Sequence, residues 1–154
     1  MAKSGISINL DGFEEMLERI EKASGKADKA ARQVVKKSAE IVEAELKAEC
    51  TRQNVPDTII NAITTEIENS ATSASARVGW KLGSYDPRKP AVGYLAVFLN
   101  YGAERRTTKQ GQNRGRLVGK KFIATAKKKA SKKVKALQQQ MLEDIMKELE
   151  KWDL

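Results

Sequence analysis

Residues 63–81 read ITTEIENSATSASARVGWK, and their period decides the fold class. Ile63, Thr65 and Ile67 alternate with polar neighbours, Asn69 to Ser73 is a run of turn formers, and Ala74, Ala76, Val78 and Trp80 alternate again. Ser75, Arg77 and Lys81 occupy the opposite face of the second run. A period of two on both sides of a turn predicts a β-hairpin with one buried face. The segments around it have the helical period instead, so strands and helices must pack together in one α+β unit.

Upstream, Ile6, Ile8 and Leu10 alternate with Ser7 and Asn9, which predicts a short N-terminal strand. Asp11 stands where an N-cap belongs, ahead of Phe13, Met16, Leu17 and Ile20 at helical spacing. Ser24-Gly25 interrupts that stripe, which resumes through Ala27, Ala30, Ala31, Val34, Val35, Ser38, Ile41, Val42 and Leu46. Two helices or one bent helix satisfy the pattern, and the Ala-rich middle suits close approach by another helix. Periodicity fades between Cys50 and Asp57, where Pro56 ends the helix or lies in the turn beyond it.

Downstream, Gly83 to Pro90 is a surface loop. The run Tyr94 to Gly102 is the most apolar stretch, and its period fits either a helix face or a buried strand. Residues 103–121 contain three glycines and no apolar side chain before Leu117 apart from Ala103, so the loop is expected not to order itself. From Phe122 the pattern is clear. Ile123, Ala126, Ala130, Val134, Leu137, Met141, Ile145, Leu149 and Trp152 step by three or four, predicting a helix of about 30 residues, roughly 45 Å long. The expected architecture is a short N-terminal strand and a hairpin forming a small sheet, packed with two or three amphipathic helices including a long C-terminal one. With 154 residues the chain is read as one domain, residues 1–154, with a flexible basic loop at about 102–121.

Charge is distributed unevenly. Thirteen of the 29 Lys and Arg residues lie between Arg105 and Lys135, a stretch without an acidic residue. The rest of the chain, with 16 basic and 20 acidic residues, is mildly acidic, although the whole carries +9. Such a block attracts phosphates or an acidic protein surface over about 8–10 Å at physiological salt. Its helical part is Lys127, Lys128, Lys129, Lys132, Lys133 and Lys135, and Glu143, Asp144, Glu148, Glu150 and Asp153 follow in the second half of the helix. The helix macrodipole prefers the reverse order by about 0.3–1 kcal/mol per terminal charge, so helix stability does not explain the arrangement. A solvated lysine face is one explanation; a surface kept for a partner is the other, and the adjoining basic loop favours it.

Several kinds of chemistry have no residues to carry them. The chain has no histidine, which removes the usual general base and the commonest metal ligand. Cys50 is alone and is expected to be an idle, buried thiol. Asp57 reads as a cap or turn residue, and no phosphate-binding glycine motif or Cys-x-x-Cys occurs. The sequence therefore argues against an enzyme and implies no cofactor or metal. No apolar run approaches ~18 residues, so no membrane span is expected. Trp80 and Trp152 are apolar anchors, the latter suited to either a core or an interface.

The order of features from Tyr94 to Ala126 resembles the tail-completion, or head–tail joining, family of long-tailed bacteriophages, whose members are minor tail components. An apolar segment ends in Asn100-Tyr101-Gly102, a variable polar loop follows, and Phe122-Ile123 and Ala126 head a long helix. Pro56-Asp57-Thr58 matches a further element of the family. Where members carry Glu, Thr and Pro, this chain has Asn100, Ala103 and Lys121, and Ile59-Ile60 replaces a Gly-x-Leu. The resemblance implies a structural virion protein without a cofactor. Such a protein assembles in the host cytoplasm as a ring, often a hexamer, between the portal or connector and the tail tube. The residues expected to touch neighbouring subunits, connector and tail-tube proteins or passing DNA are Arg105, Arg106, Arg114, Arg116, Lys120 and Lys121, with Tyr101, Phe122 and Trp152. A small basic nucleic-acid-binding protein is the alternative, although the basic loop has no interleaved aromatics for base stacking.

Overall fold

The computed structural model describes residues 3–9, 27–70, 73–83, 86–104 and 107–151. Three strands form an antiparallel sheet: β1 (Lys3–Asn9), β2 (Thr64–Asn69) and β3 (Ala74–Lys81), in the order β1-β3-β2. The hairpin read from residues 63–81 is thus β2–β3, and the N-terminal strand joins it on the free side of β3. Register places Ile6 and Thr65 on either side of Val78, and Ile67 beside Ala76. Because side chains alternate across a sheet, this register gathers the apolar residues on one face. The other face is polar, with Lys81 and Glu66 paired at 3.6 Å and the Arg77 guanidinium donating to the Ser7 hydroxyl at 3.4 Å.

Helix α1 (Ala27–Arg52) lies across the apolar face. It carries no Gly or Pro, and Ala31, Val34, Val35, Ser38, Ala39, Val42, Leu46, Glu49 and Cys50 form its buried stripe. The helix runs one and a half turns beyond the Leu46 expected from the apolar period, because its last buried positions include a carboxylate that a hydropathy pattern cannot register. The expected helix over Phe13 to Ile20, with its Asp11 cap and Leu10, lies outside the described residues. A one-turn helix, α2 (Asp57–Ile60), follows Pro56, and Asp57 occupies its first turn, where a negative charge suits the dipole.

The ambiguous apolar run is a helix, α3 (Val92–Tyr101), burying Gly93, Ala96 and Asn100. Helix α4 (Phe122–Glu150) has 29 residues and packs along α1. The two run antiparallel, since Lys129 pairs with Glu49 and Lys133, four residues further, pairs with Glu45. Ala126, Ala130 and Val134 are buried at the seam, beside the small residues of α1. Together these elements make the α+β architecture anticipated from the periods.

Phe122 and Trp80 meet edge to face in the core, with ring centroids 5.8 Å apart and planes at 68°. Such a contact adds about 0.5–1.5 kcal/mol to the burial of either ring. The Trp80 indole N–H donates to the Ile59 carbonyl at 2.7 Å, so its one polar atom is satisfied.

Residues 102–121 differ from the expectation of a loop without structure of its own. Strand β4 (Gly102–Ala103) pairs antiparallel with β5 (Leu117–Val118), and a bridge joins Thr107 and Asn113 further out. The segment is a hairpin arm closed by backbone hydrogen bonds, which need no apolar core. At its root the chains pass very closely. A Cβ on Gly102, whose φ is +83°, would stand 2.5 Å from the Leu117 carbonyl oxygen, and one on Gly119 would stand 2.5 Å from the Tyr101 carbonyl carbon. Only glycine fits at either position.

Candidate functional site

The arm grows out of a junction that three elements hold. Asn100, buried at the end of α3, accepts the Ile123 backbone N–H through Oδ1 at 2.9 Å and so caps α4 from outside its own chain segment. The same residue's carbonyl accepts the Lys121 N–H at 2.9 Å, and the Leu99 carbonyl accepts the Lys120 N–H at 2.9 Å. These bonds satisfy donors that a helix start leaves without intrahelical partners. Lys121 adopts φ +53°, in the left-handed region, to make the turn into α4. Proline, which this position carries in the tail-completion pattern, cannot adopt that angle.

From this root the arm projects its cations outward. Lys109, Arg114, Arg116 and Lys121 are exposed and make no ion pair among the described residues. The turn at its tip is built by Thr108, whose N–H and hydroxyl bond Gln112 and whose carbonyl accepts from Gly111, and by the Asn113 carboxamide on the Gly115 N–H. Apolar surface accompanies the charge at the base. Tyr101 is 69 % and Val118 77 % exposed, and both line an open cleft of about 330 Å³ with Arg116, Leu117 and Lys121. Leu95 and Phe98, on the flank of α3, add two more half-exposed apolar side chains.

Not every residue expected to meet a partner lies on this surface. Phe122 is fully buried against Trp80, so it is a core residue and not a contact; its place at the head of an amphipathic helix on the core face decides this. Lys120 is held by the body, its ammonium donating to the Gln53 carbonyl at 2.5 Å. Arg105, Arg106 and Trp152 lie outside the described residues. Tyr101, Arg116 and Lys121 are the expected contacts that the fold brings together along one cleft, and Arg114 is exposed further out on the arm. Val118, Leu95 and Phe98 were missed; the signal for Leu95 and Phe98 was present in the Tyr94 to Gly102 run but unreadable until its period was settled.

The lysine block on α4 is also divided. Lys129 donates to Glu49 Oε2 at 2.9 Å and Lys133 to Glu45, whereas Lys127, Lys128, Lys132 and Lys135 face solvent. Antiparallel packing sets the basic first half of α4 beside the acidic second half of α1, which holds Glu40, Glu43, Glu45 and Glu49. The charge order that the macrodipole disfavours is therefore set in part by the partner helix.

Glu49 is the centre of that contact. It is 2 % exposed and accepts from Arg52 Nε at 3.1 Å, from Arg52 Nη2, from Gln53 Nε2 at 2.8 Å and from Lys129. The Arg52 hydrogen bonds, with help from Gln53 and Lys129, outweigh burial and hold its carboxyl down at about 2. Glu43 is likewise lowered, first by Lys47 and then by the Thr65 hydroxyl, which bonds it at 2.6 Å and ties α1 to β2. Beside Glu49, the fully buried Cys50 thiol is pushed up to about 11 by desolvation and by the neighbouring carboxylate. Burial and the raised pKa both disfavour the reactive thiolate there.

Among the described residues there is no group of three or more Cys, Asp or Glu side chains able to hold a metal ion, and no helix is long and apolar enough to cross a membrane.

Residues 14–102 match the family model described as "Bacteriophage HK97-gp10, putative tail-component". No curated protein and no solved structure matches the chain. The matched segment carries α1, the hairpin and α3 and stops at Gly102, so the basic arm and α4 lie beyond it. With more than half of its length matched, the chain belongs to the HK97-gp10-like family of bacteriophage tail components, structural proteins of the virion.

Proposed function

We propose that this protein is a tail-completion or head–tail connector subunit, which assembles as a ring between the portal or connector and the tail tube. The observation that supports this reading is the arm: exposed cations that make no ion pair among the described residues, with exposed Tyr101 and Val118 at its base, projecting from a body in which Trp80 and Phe122 are buried against each other. A monomer gains nothing in stability from such a surface, whereas a subunit surrounded by neighbours buries it. The arm settles against an adjoining protein on assembly, with Arg105, Arg106, Arg114, Arg116 and Lys121 as its cationic contacts and Tyr101 and Trp152 as apolar anchors. Lys120 contributes at the root through Gln53.

The test is to replace Arg105, Arg106, Arg114, Arg116 and Lys121 together by Gln and assay joining of heads to tails by complementation of a phage lacking the protein. Loss of infectious particles with the fold retained by circular dichroism is expected. Normal joining overturns the reading. Nucleic-acid binding is read in parallel by titrating duplex and single-stranded DNA across salt. A slope of several ions that the five substitutions abolish would transfer the arm's role to phosphate contacts.

A further inference from the structure

The arm has a complement on the same chain that it cannot reach. At the far end of α4, Glu143, Met146 and Glu150 recur at spacings of three and four and so share one stripe of the helix. Met146 is 42 % exposed, and Glu143 and Glu150 are exposed without an ion pair among the described residues, with Asp144 beside them and Lys147 at the stripe's edge. An apolar side chain flanked by two carboxylates complements the arm's base, where Val118 and Tyr101 line one cleft with Arg116 and Lys121, two cations against the single carboxylate of Glu104. Within one molecule the two surfaces stand apart. Lys121 immediately precedes α4 and Met146 lies in its last turns, a separation of about 36 Å at ~1.5 Å per residue.

We infer that the arm's base receives the Glu143–Met146–Glu150 stripe of a second copy, making a head-to-tail contact between protomers. This inference rests on the connector reading and specifies how its subunits meet. Apolar burial of Met146 against Val118 and Tyr101 supplies the centre, and the carboxylates of one copy face Arg116 and Lys121 of the next. Because two different surfaces meet, the contact is heterologous. Repetition therefore generates a ring when the rotation closes and a filament when it does not, and a two-fold dimer is not formed. Helix α4 acts as the spacer that keeps the contact from being satisfied in cis.

The experiment is a disulfide trap in the full chain. Val118→Cys and Met146→Cys are introduced singly and together; both sites are exposed, and Cys50 is buried. Under mild oxidation at high protein concentration, and in assembled particles, the double variant is expected to give a ladder of covalent multimers. Each single variant is expected to remain uncrosslinked. Adding Arg116→Glu with Lys121→Glu should abolish the ladder, and further adding Glu143→Lys with Glu150→Lys should restore it. Absence of a ladder in the double variant, dimers from Met146→Cys alone, or failure of the charge swap to restore cross-linking overturns the inference. The two readings separate cleanly. If neutralising the arm blocks head–tail joining but particles give no cross-link, the arm docks on another protein or on DNA and only this inference falls. If the ladder forms while the arm-neutralised chain still joins heads to tails, the connector reading falls instead.

Discussion

Replacing Glu49 by Gln removes one negative charge from the seam between α1 and α4 and changes almost no volume. The carboxylate is buried and receives hydrogen bonds from Arg52, Gln53 and Lys129. Its carboxyl is lowered from 4.5 to about 2, which corresponds to about 3 kcal/mol of preference for the ionised form in the fold. That figure is an upper value, because the side chains of Lys129 and Arg52 are 49 % and 62 % exposed and water screens them. The sign follows from linkage. A carboxylate with a depressed folded pKa contributes its full stability above its unfolded value near 4.5 and loses it as pH falls through about 2. Glu49→Gln should therefore be about 2–3 kcal/mol less stable at pH 7, a loss of roughly 5–10 °C in Tm for a chain of this length. The gap between the two proteins should close as pH falls from 4.5 towards 2. Urea unfolding followed by circular dichroism at pH 7, 4 and 2.5 measures both quantities, and subtracting the curves cancels carboxylates common to both proteins. A loss under ~1 kcal/mol at pH 7, or a gap that stays constant with pH, would refute the clamp.

Three further outcomes are expected. Ser38 is fully buried in α1 and its hydroxyl has no hydrogen-bond partner among the described residues, so Ser38→Ala should raise stability by up to about 1 kcal/mol in the same urea assay. Lys121→Pro should destabilise by about 3 kcal/mol, because proline can adopt neither φ +53° nor the N–H bond to the Asn100 carbonyl; Lys121→Gly, measured alongside, should fold normally. Cys50 should resist iodoacetamide at pH 8 in the folded protein and react promptly in urea, as mass spectrometry of the alkylated chain would report.

Much of the fold was legible because its elements differ in period. Val78 and Trp80 stand two residues apart between Arg77 and Lys81, and a sheet is the arrangement that buries them on one face. The α4 stripe from Phe122 to Met141 is equally local. The Tyr94 to Gly102 run could not be assigned, because a short segment apolar on nearly every side satisfies both periods. Contact decided it: α3 buries Gly93 and Ala96 and leaves Leu95 and Phe98 half-exposed. The arm was misread for a different reason. Low apolar content does not preclude order there, because backbone pairing between Gly102–Ala103 and Leu117–Val118 closes the arm where Gly102 and Gly119 permit the chains to touch.

The candidate site divides along the same line. Composition alone located the basic block between Arg105 and Lys135, excluded histidine chemistry and left Cys50 without a disulfide partner, since these are properties of residue identity and count. Which cations are available to another molecule is a property of helix register. Lys129 and Lys128 are adjacent in sequence and identical in chemistry, yet one reaches the buried Glu49 and the other faces water, because successive residues on a helix point about 100° apart. Likewise Phe122 and Tyr101 both flank the arm, but only the packing of Phe122 against Trp80 distinguishes a core ring from an exposed one.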